Sequence, residues 1–383
     1  MFNSTYIELS QTALANNISF LRKQLKGNAR LSFVAKGNAY GHGIKPIVSM
    51  AEKAGVDHFS VYSAEEAEQV YAASKAHPTV LVMGYLSDAA VEWAIEKGVE
   101  FFVFEFKRLE KAVQIAKRLN IPAKIHLELE TGMNRTGFQV EELPQVVEFV
   151  KKNAGYIELV GCCTHFAGAE SISNYLRIQK QKRAFKKYLK YLQQQDLQFE
   201  QIHACCSAAA FRYPDMHFDL VRFGIMNYGY WPSEEIFIEY SSKKKKLGQD
   251  PLKRVISWKS SVMSLKKVEK GDFIGYGTSY QASENIEIAL VPVGYGYGYS
   301  RNLSNTGRVL INGKRAGVIG IVNMNCIAVN INNLETVKIG DEVTLIGGEG
   351  DQQISVASFS KFSDQLNYEL LTRLPHNIPR LIK

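Results

Sequence analysis

The sequence predicts an α/β protein with an N-terminal (β/α)8 TIM barrel and a C-terminal, mostly β domain. Two patterns predict it. Apolar runs of strand length alternate eight times with helix-forming stretches between Leu31 and Gly224, and beyond residue 250 the chain turns to strand-like segments punctuated by glycine. The 383 residues are too many for one ordinary domain and enough for two, each able to bury its own core.

The elements follow in order. A short strand-like start at residues 6–9 precedes the first barrel helix and is expected to fold back onto the β domain. Eight strands are read at 31–36, 58–63, 79–84, 100–105, 123–130, 157–165, 201–206 and 219–224. Between them, stretches such as 64–76, 88–97 and 175–195 have helix-forming composition. Alternation of this kind argues for parallel pairing through crossovers, and eight units suggest a closed barrel. After the polar run 241–249, strand-like segments appear at 255–268, 272–276, 287–293, 308–311, 327–331 and 341–346. The expected division is therefore 11–240 for the barrel and 251–383 for the β domain, the latter joined by a strand from 1–10.

Composition excludes several classes. A hydrophobic share of 46% and a charged share of 22% are those of a globular protein, and no apolar run is long enough to span a bilayer. The start, Met1 to Ser10, lacks the basic head and apolar stretch of a secretory signal, so a cytoplasmic location and no membrane partner are expected. The net charge of +8 is scattered, apart from Lys243 to Lys246 and residues 180–190. No aromatic-basic motif accompanies it, so these are read as solvated surface and no nucleic-acid partner is expected. The five cysteines fall as Cys162-Cys163, Cys205-Cys206 and Cys326 without C-x-x-C spacing, which points to reduced thiols and no metal site.

A barrel of this kind projects its chemistry from the C-terminal ends of its strands. Lys36, Arg135, His165, Ser207 and Arg222 all lie at or just past such ends. Lys36 closes the apolar run Leu31-Ser32-Phe33-Val34-Ala35. An amine among apolar neighbours is biased toward its neutral form, as Schiff-base chemistry with an aldehyde requires. Ser207 and the turn Arg222-Phe223-Gly224-Ile225 are suited to hold a phosphate through hydroxyl and main-chain donors.

Three blocks carry a family resemblance: Val34-Ala35-Lys36-Gly37-Asn38-Ala39-Tyr40-Gly41-His42-Gly43, the segment from His126 to Phe138 containing Glu130-Thr131-Gly132-Met133-Asn134-Arg135, and Cys163-Thr164-His165-Phe166-Ala167. With them the chain resembles the alanine racemase family from Tyr6 to Arg380. The resemblance implies a pyridoxal-phosphate enzyme that interconverts L- and D-alanine and supplies D-alanine for cell walls. By it, Lys36 carries the cofactor, and Tyr40, Ser207, the backbone of Gly224 and Ile225, and Tyr368 hold the phosphate. Arg222 donates to the pyridine nitrogen and contacts His165, which in turn contacts Tyr276. Tyr276, in Gly275-Tyr276-Gly277, is the second base, because inversion needs one proton removed and another delivered on the opposite face. A tyrosine works as a base near neutrality only where positive charge or donated hydrogen bonds favour its phenolate.

Further roles follow from the same resemblance. The backbone of Met324 and the side chain of Arg135 meet the substrate carboxylate, Arg135 also contacts the cofactor's phenolic oxygen, and Tyr295 and Arg301 line the entrance. A head-to-tail homodimer with shared sites is implied. Departures bear on the carry-over. Glu128 stands where many relatives have a lysine, often carbamylated, and an ion pair between Glu128 and Arg135 is expected in its place. Glu130, Tyr297 and Asn325 each replace a usual aspartate, and Cys206 a common asparagine. Two of these changes remove charge near the expected entrance, so a broad-specificity amino-acid racemase is the alternative reading. A basic-amino-acid decarboxylase is disfavoured, because it would need an acidic residue where Arg222 stands. A non-catalytic cofactor-binding barrel leaves the β domain unexplained.

Overall fold

In the computed structural model, residues 3–243, 249–356 and 367–383 are described. Lys244 to Lys246 of the basic run lie outside them. The chain divides into two compact units: Ala13–Lys36 with Ile47–Lys253, and the described residues of Met1–Thr12, Gly37–Pro46 and Arg254–Lys383.

The first unit is an eight-stranded parallel sheet. Its strands are β2 (Arg30–Val34), β3 (His58–Val61), β4 (Thr79–Val82), β5 (Glu100–Val103), β6 (Ala123–Glu128), β7 (Ile157–Cys163), β8 (Gln201–His203) and β9 (Leu220–Phe223). They run in sequence order from β2 to β8, with β9 beside β2. The amide of Asp219 bonds the Ile202 carbonyl at 3.0 Å and that of Arg222 bonds Cys205 at 3.1 Å, which brings β8 against β9 and closes the ring. Each strand ends one to three residues sooner than its apolar run suggests, because the last residues turn out of the ladder into the loops. The helix Asp88–Lys97 begins at Ser87, whose hydroxyl accepts from the amide of Ala90, and Ser63 does the same for Ala64–Ala73. Phe33, Phe59, Phe101, Leu81 and Ile125 are fully buried along these strands.

The second unit is a ten-stranded sheet. The chain start joins it: β1 (Thr5–Leu9) pairs antiparallel with β10 (Ile256–Ser261), Ile7 facing Trp258, and parallel with Arg380–Ile382. The indole N–H of Trp258 donates to the Thr5 hydroxyl at 2.7 Å, so the largest buried ring keeps its polar atom satisfied. Segment 255–268 is two strands, broken at Val262 and Met263, rather than one. Segment 272–276 forms only the bridge of Phe273 with Gln281, since Gly275 and Gly277 take φ of +77° and +69° and leave the ladder. Strands at Lys314–Ile319, Gln352–Ile354 and Arg380–Ile382 complete the sheet.

Candidate active site

Lys36 follows directly on β2 and Ala35. Burial of its surroundings, then the nearby Arg135 guanidinium, lower its pKa from the ordinary value, although the side chain keeps contact with solvent. Favouring the neutral amine is what the sequence argument required.

The next residues form a helical turn of the unusual hand. Gly37, Asn38, Ala39 and Tyr40 have φ of 63°, 52°, 54° and 51°. Each non-glycine residue in that conformation costs roughly 1–2 kcal/mol. Local bonds hold the turn: Gly41 N–H to Gly37 O at 2.9 Å, Gly43 N–H to Asn38 O at 2.9 Å, and Ile44 N–H to the Asn38 side chain at 3.2 Å. Arg380 clamps it by donating to the Gly41 carbonyl at 2.8 and 3.2 Å. At Gly41 itself a Cβ would lie 1.8 Å from the Leu371 carbonyl oxygen, so nothing larger fits. Within the same unit the rings of Tyr40 and Tyr368, both expected to meet the phosphate, pack edge to face at 6.5 Å.

At the barrel, Arg135 lies on a loop organised by Glu130. The buried Glu130 carboxylate accepts from the amides of Gly132, Met133 at 2.7 Å, Asn134 at 2.8 Å and Arg135 at 3.3 Å. Glu128 and Arg135, expected to form an ion pair, stand 3.9 Å apart, beyond hydrogen-bond reach. Glu128 takes its hydrogen bond from the Thr136 hydroxyl at 2.8 Å instead, because its carboxylate is buried while half of the Arg135 side chain stays in solvent. Burial pushes the Glu128 carboxyl up, against the pull of Thr136 and Arg135.

His165 is partly buried, and burial, then Arg222, Arg135 and Lys36, drive its pKa down to about 3. It is a neutral ring, so it can donate or accept a hydrogen bond but brings no charge. Its carbonyl is held by Gln181, whose amide donates to it at 3.0 Å while its oxygen accepts from Ala167 N–H at 2.9 Å. The hydrogen bonds of Arg222 differ from the expected contact with His165. The guanidinium donates to the His203 ring, to Thr164 O at 2.8 Å and to Ala204 O at 3.4 Å. Nearby, the Gly224 amide donates to the Ser207 hydroxyl at 2.9 Å, so two of the residues assigned to phosphate already meet.

In the β unit, Tyr276, Tyr295, Arg301 and Met324 line one concavity of about 600 Å³, together with Ile321 and Asn325. The loops that form it are stapled by Tyr295 N–H to Asn323 O at 3.0 Å and Gly296 N–H to Met324 O at 2.9 Å. Tyr276 is 72% exposed and Met324 56%. The structure therefore brings together two sets of the sequence-predicted residues, one at the barrel end and one on the β unit.

Comparison with known proteins decides the family. The model of the alanine racemase N-terminal domain matches residues 9–232, and that of the alanine racemase C-terminal domain matches 255–382. The chain belongs to the alanine racemase family. An alanine racemase of Leptospira interrogans is 34% identical over 379 residues, covering 99% of this chain and 96% of that protein. Among solved structures, the alanine racemase of D-cycloserine-producing Streptomyces lavendulae has a TM-score of 0.91 at 28% identity, covering 100% of this chain and 98% of that one. That of Bacillus anthracis, solved with bound L-Ala-P, has a TM-score of 0.90 at 30% identity, covering 100% and 96%. As a member of the alanine racemase family the chain is an amino-acid racemase.

Sequence reasoning missed Gln181, His203 and the loop-organising role of Glu130. Glu130 carried a signal, a carboxylate two to five residues before four amides of a Gly-containing turn. Gln181 and His203 carried none, since their partners are remote in the chain.

Proposed function

We propose that the chain interconverts L-alanine and D-alanine with pyridoxal phosphate bound at Lys36, using Lys36 and Tyr276 as its two bases. The observation that carries this reading is the lowered pKa of the Lys36 amine at a barrel strand end, in electrostatic reach of Arg135, Arg222 and a neutral His165. An amine that is readily neutral can condense with an aldehyde. The donor set fits the cofactor. Lys36 would meet the aldehyde and Arg222, a donor that stays protonated, the ring nitrogen; Ser207, Gly224, Ile225, Tyr40 and Tyr368 would hold the phosphate and Arg135 the phenolic oxygen. When bound, pyridoxal phosphate supplies an electron-withdrawing ring that acidifies the α-hydrogen of an attached amino acid.

The chain's own residues then manage the proton. Lys36 accepts or returns it on one face of the α-carbon and the Tyr276 hydroxyl on the other, which inverts the centre. His165 serves as a hydrogen-bonding ring, and the positive charge that favours a tyrosine base comes from Arg222. The Met324 backbone and Arg135 hold the substrate carboxylate, and Tyr295 and Arg301 line the way in. The exposure of Tyr276 and Met324 in the single chain supports a homodimer that shares its sites between copies. D-alanine for cell-wall synthesis, made in the cytoplasm, is the role this reading assigns. Among the described residues no helix is long and apolar enough to cross a membrane.

Borohydride reduction of the cofactor-loaded protein, followed by peptide mapping, tests the assignment. A label on Lys36 is expected, and a label elsewhere, or none, overturns it. Substrate range is tested with L-amino acids and chiral chromatography, alanine being turned over fastest. Asn325 lines the concavity without the charge usual in the family, and this favours a second reading, a broad-specificity racemase. Faster turnover of lysine, serine or glutamate would replace alanine with that reading.

A further inference from the structure

Behind Arg222 the interior of the barrel carries a polar chain of three further side chains with no role assigned so far. Four strands contribute one residue each: Glu100 from β5, His126 from β6, His203 from β8 and Arg222 from β9. Arg222 Nη1 donates to His203 Nδ1, His203 Nε2 meets His126 Nδ1 at 2.8 Å, and His126 Nε2 meets Glu100 Oε2 at 2.9 Å. All four are buried, both histidines completely. The Phe102 ring lies 6.1 Å from the His126 ring and 5.8 Å from that of His203. A Cβ on residue 161 would lie 1.9 Å from His126 Nδ1, so Gly161 on β7 makes room for that ring.

The two ends of this chain fix its direction. Arginine only donates, so His203 Nδ1 must accept and its proton sits on Nε2. That proton is given to His126 Nδ1, which leaves the second proton on His126 Nε2, aimed at a carboxylate that only accepts. Each ring is thereby held in one tautomer.

We propose that Glu100 is a positioning residue for Arg222, acting through His126 and His203 as a one-way chain of hydrogen bonds across the barrel interior. The arrangement also answers the cost of burial. A guanidinium and a carboxylate sit at opposite ends of two neutral rings, so neither charge is left without a hydrogen-bonded partner. Burial, then Arg222, holds the His203 ring well below its ordinary range, and burial lowers His126 as well, which keeps both rings neutral. Other groups facing Glu100 are His58, whose Nε2 is 3.9 Å away and whose Nδ1 meets the Ser32 hydroxyl at 2.9 Å, and Tyr71. The role for Arg222 rests on the functional reading; the tautomer chain does not.

Two measurements test it. Nitrogen-15 histidine spectra of the full chain, with and without pyridoxal phosphate, should show His126 and His203 protonated at Nε2 and unchanged between about pH 5.5 and 8.5. An Nδ1-protonated pattern, or titration of either ring, overturns the chain. Glu100→Leu removes the terminal acceptor and should weaken pyridoxal phosphate binding and lower kcat by about tenfold or more, the size of one lost hydrogen bond to a charged group. Glu100→Gln keeps an acceptor and should return both to within about threefold of the parent. Equal cofactor affinity and kcat in the Leu variant, or no recovery in the Gln variant, overturns the positioning role. Should Glu100→Leu not fold, Glu100→Gln still decides through the spectra, where loss of the Nε2 pattern sinks the proposal. If the protein binds no pyridoxal phosphate while the tautomers are as stated, the functional reading fails and the chain of bonds stands.

Discussion

The two sets of candidate residues differ in how much of their environment a single chain supplies. At the barrel end, Arg222 is buried and His165 partly so, Lys36 has its pKa lowered by burial and neighbouring cations, and Arg222 is bonded on several sides. On the β unit, Tyr276 and Met324 are more than half exposed around an open concavity. The difference teaches that the electrostatics of the barrel set are built into the fold of the single chain. The β-unit set has its backbone stapled at Tyr295 and Gly296 and its side chains exposed.

The sharpest way to break this comparison is to remove the amine. Lys36→Ala should eliminate the visible absorbance of the Lys36-bound cofactor and lower racemisation by about a thousandfold or more, the scale of losing a positioned base and nucleophile. Retained absorbance would move the cofactor lysine elsewhere and undo the preset barrel end. For the β unit, Tyr276→Phe keeps the ring and deletes the hydroxyl. It should slow α-proton exchange by about a hundredfold or more from one enantiomer, with a smaller loss from the other. Deuterium incorporation measured separately from L- and D-alanine checks this. Equal losses in both directions would mean that Tyr276 does not serve one face.

Glu130→Gln probes the preset side more gently. The carboxylate collects four amides ahead of Arg135, and an amide can accept from only part of that set once its NH2 replaces an oxygen. A fall of about tenfold in kcat/KM is expected, carried by KM if Arg135 meets the substrate carboxylate, with the fold intact by circular dichroism. An unchanged KM would detach Arg135 from substrate binding.

How much of this was legible in the sequence follows from the range of each interaction. The barrel strands were, because a strand buried on both faces is a continuous apolar run whoever its neighbours are. Lys36 was, because its own flanking residues supply the apolar setting. The left-handed turn at Gly37–Tyr40 was not, since Asn38, Ala39 and Tyr40 are ordinary residues whose positive φ is held by bonds within the turn and by Arg380, far along the chain. The Glu100 chain was not legible either: its members stand on four different strands, and only the folded barrel brings their side chains within hydrogen-bond reach. The segment around Tyr276 read as a strand because its apolar residues suit one, whereas its two glycines decide otherwise.

Acid separates the two regions through stability. Among the described residues, burial lowers the pKa of four barrel histidines, His126, His165, His203 and His217, and of one in the other unit, His42, which falls to about 4. The unfolded chain binds protons on these rings near pH 6.5, whereas the folded chain resists them, so their neutral burial favours the fold fully above that value. As pH falls below it, the unfolded state gains protons that the native state does not, and stability drops until the native rings also protonate, for His165 near pH 3. That ring alone should cost more than about 1 kcal/mol per pH unit across the window. Glu100, held down at about 2 by His126 and His58 against the upward push of burial, adds its loss below the ordinary carboxylate range. Urea midpoints should therefore decline from about pH 6.5 downward. Hydrogen exchange resolved by segment should show protection in β5 to β9 falling more steeply than in β10 (Ile256–Ser261) and its neighbours. Parallel decline in both units would mean that the barrel rings are not held neutral by burial.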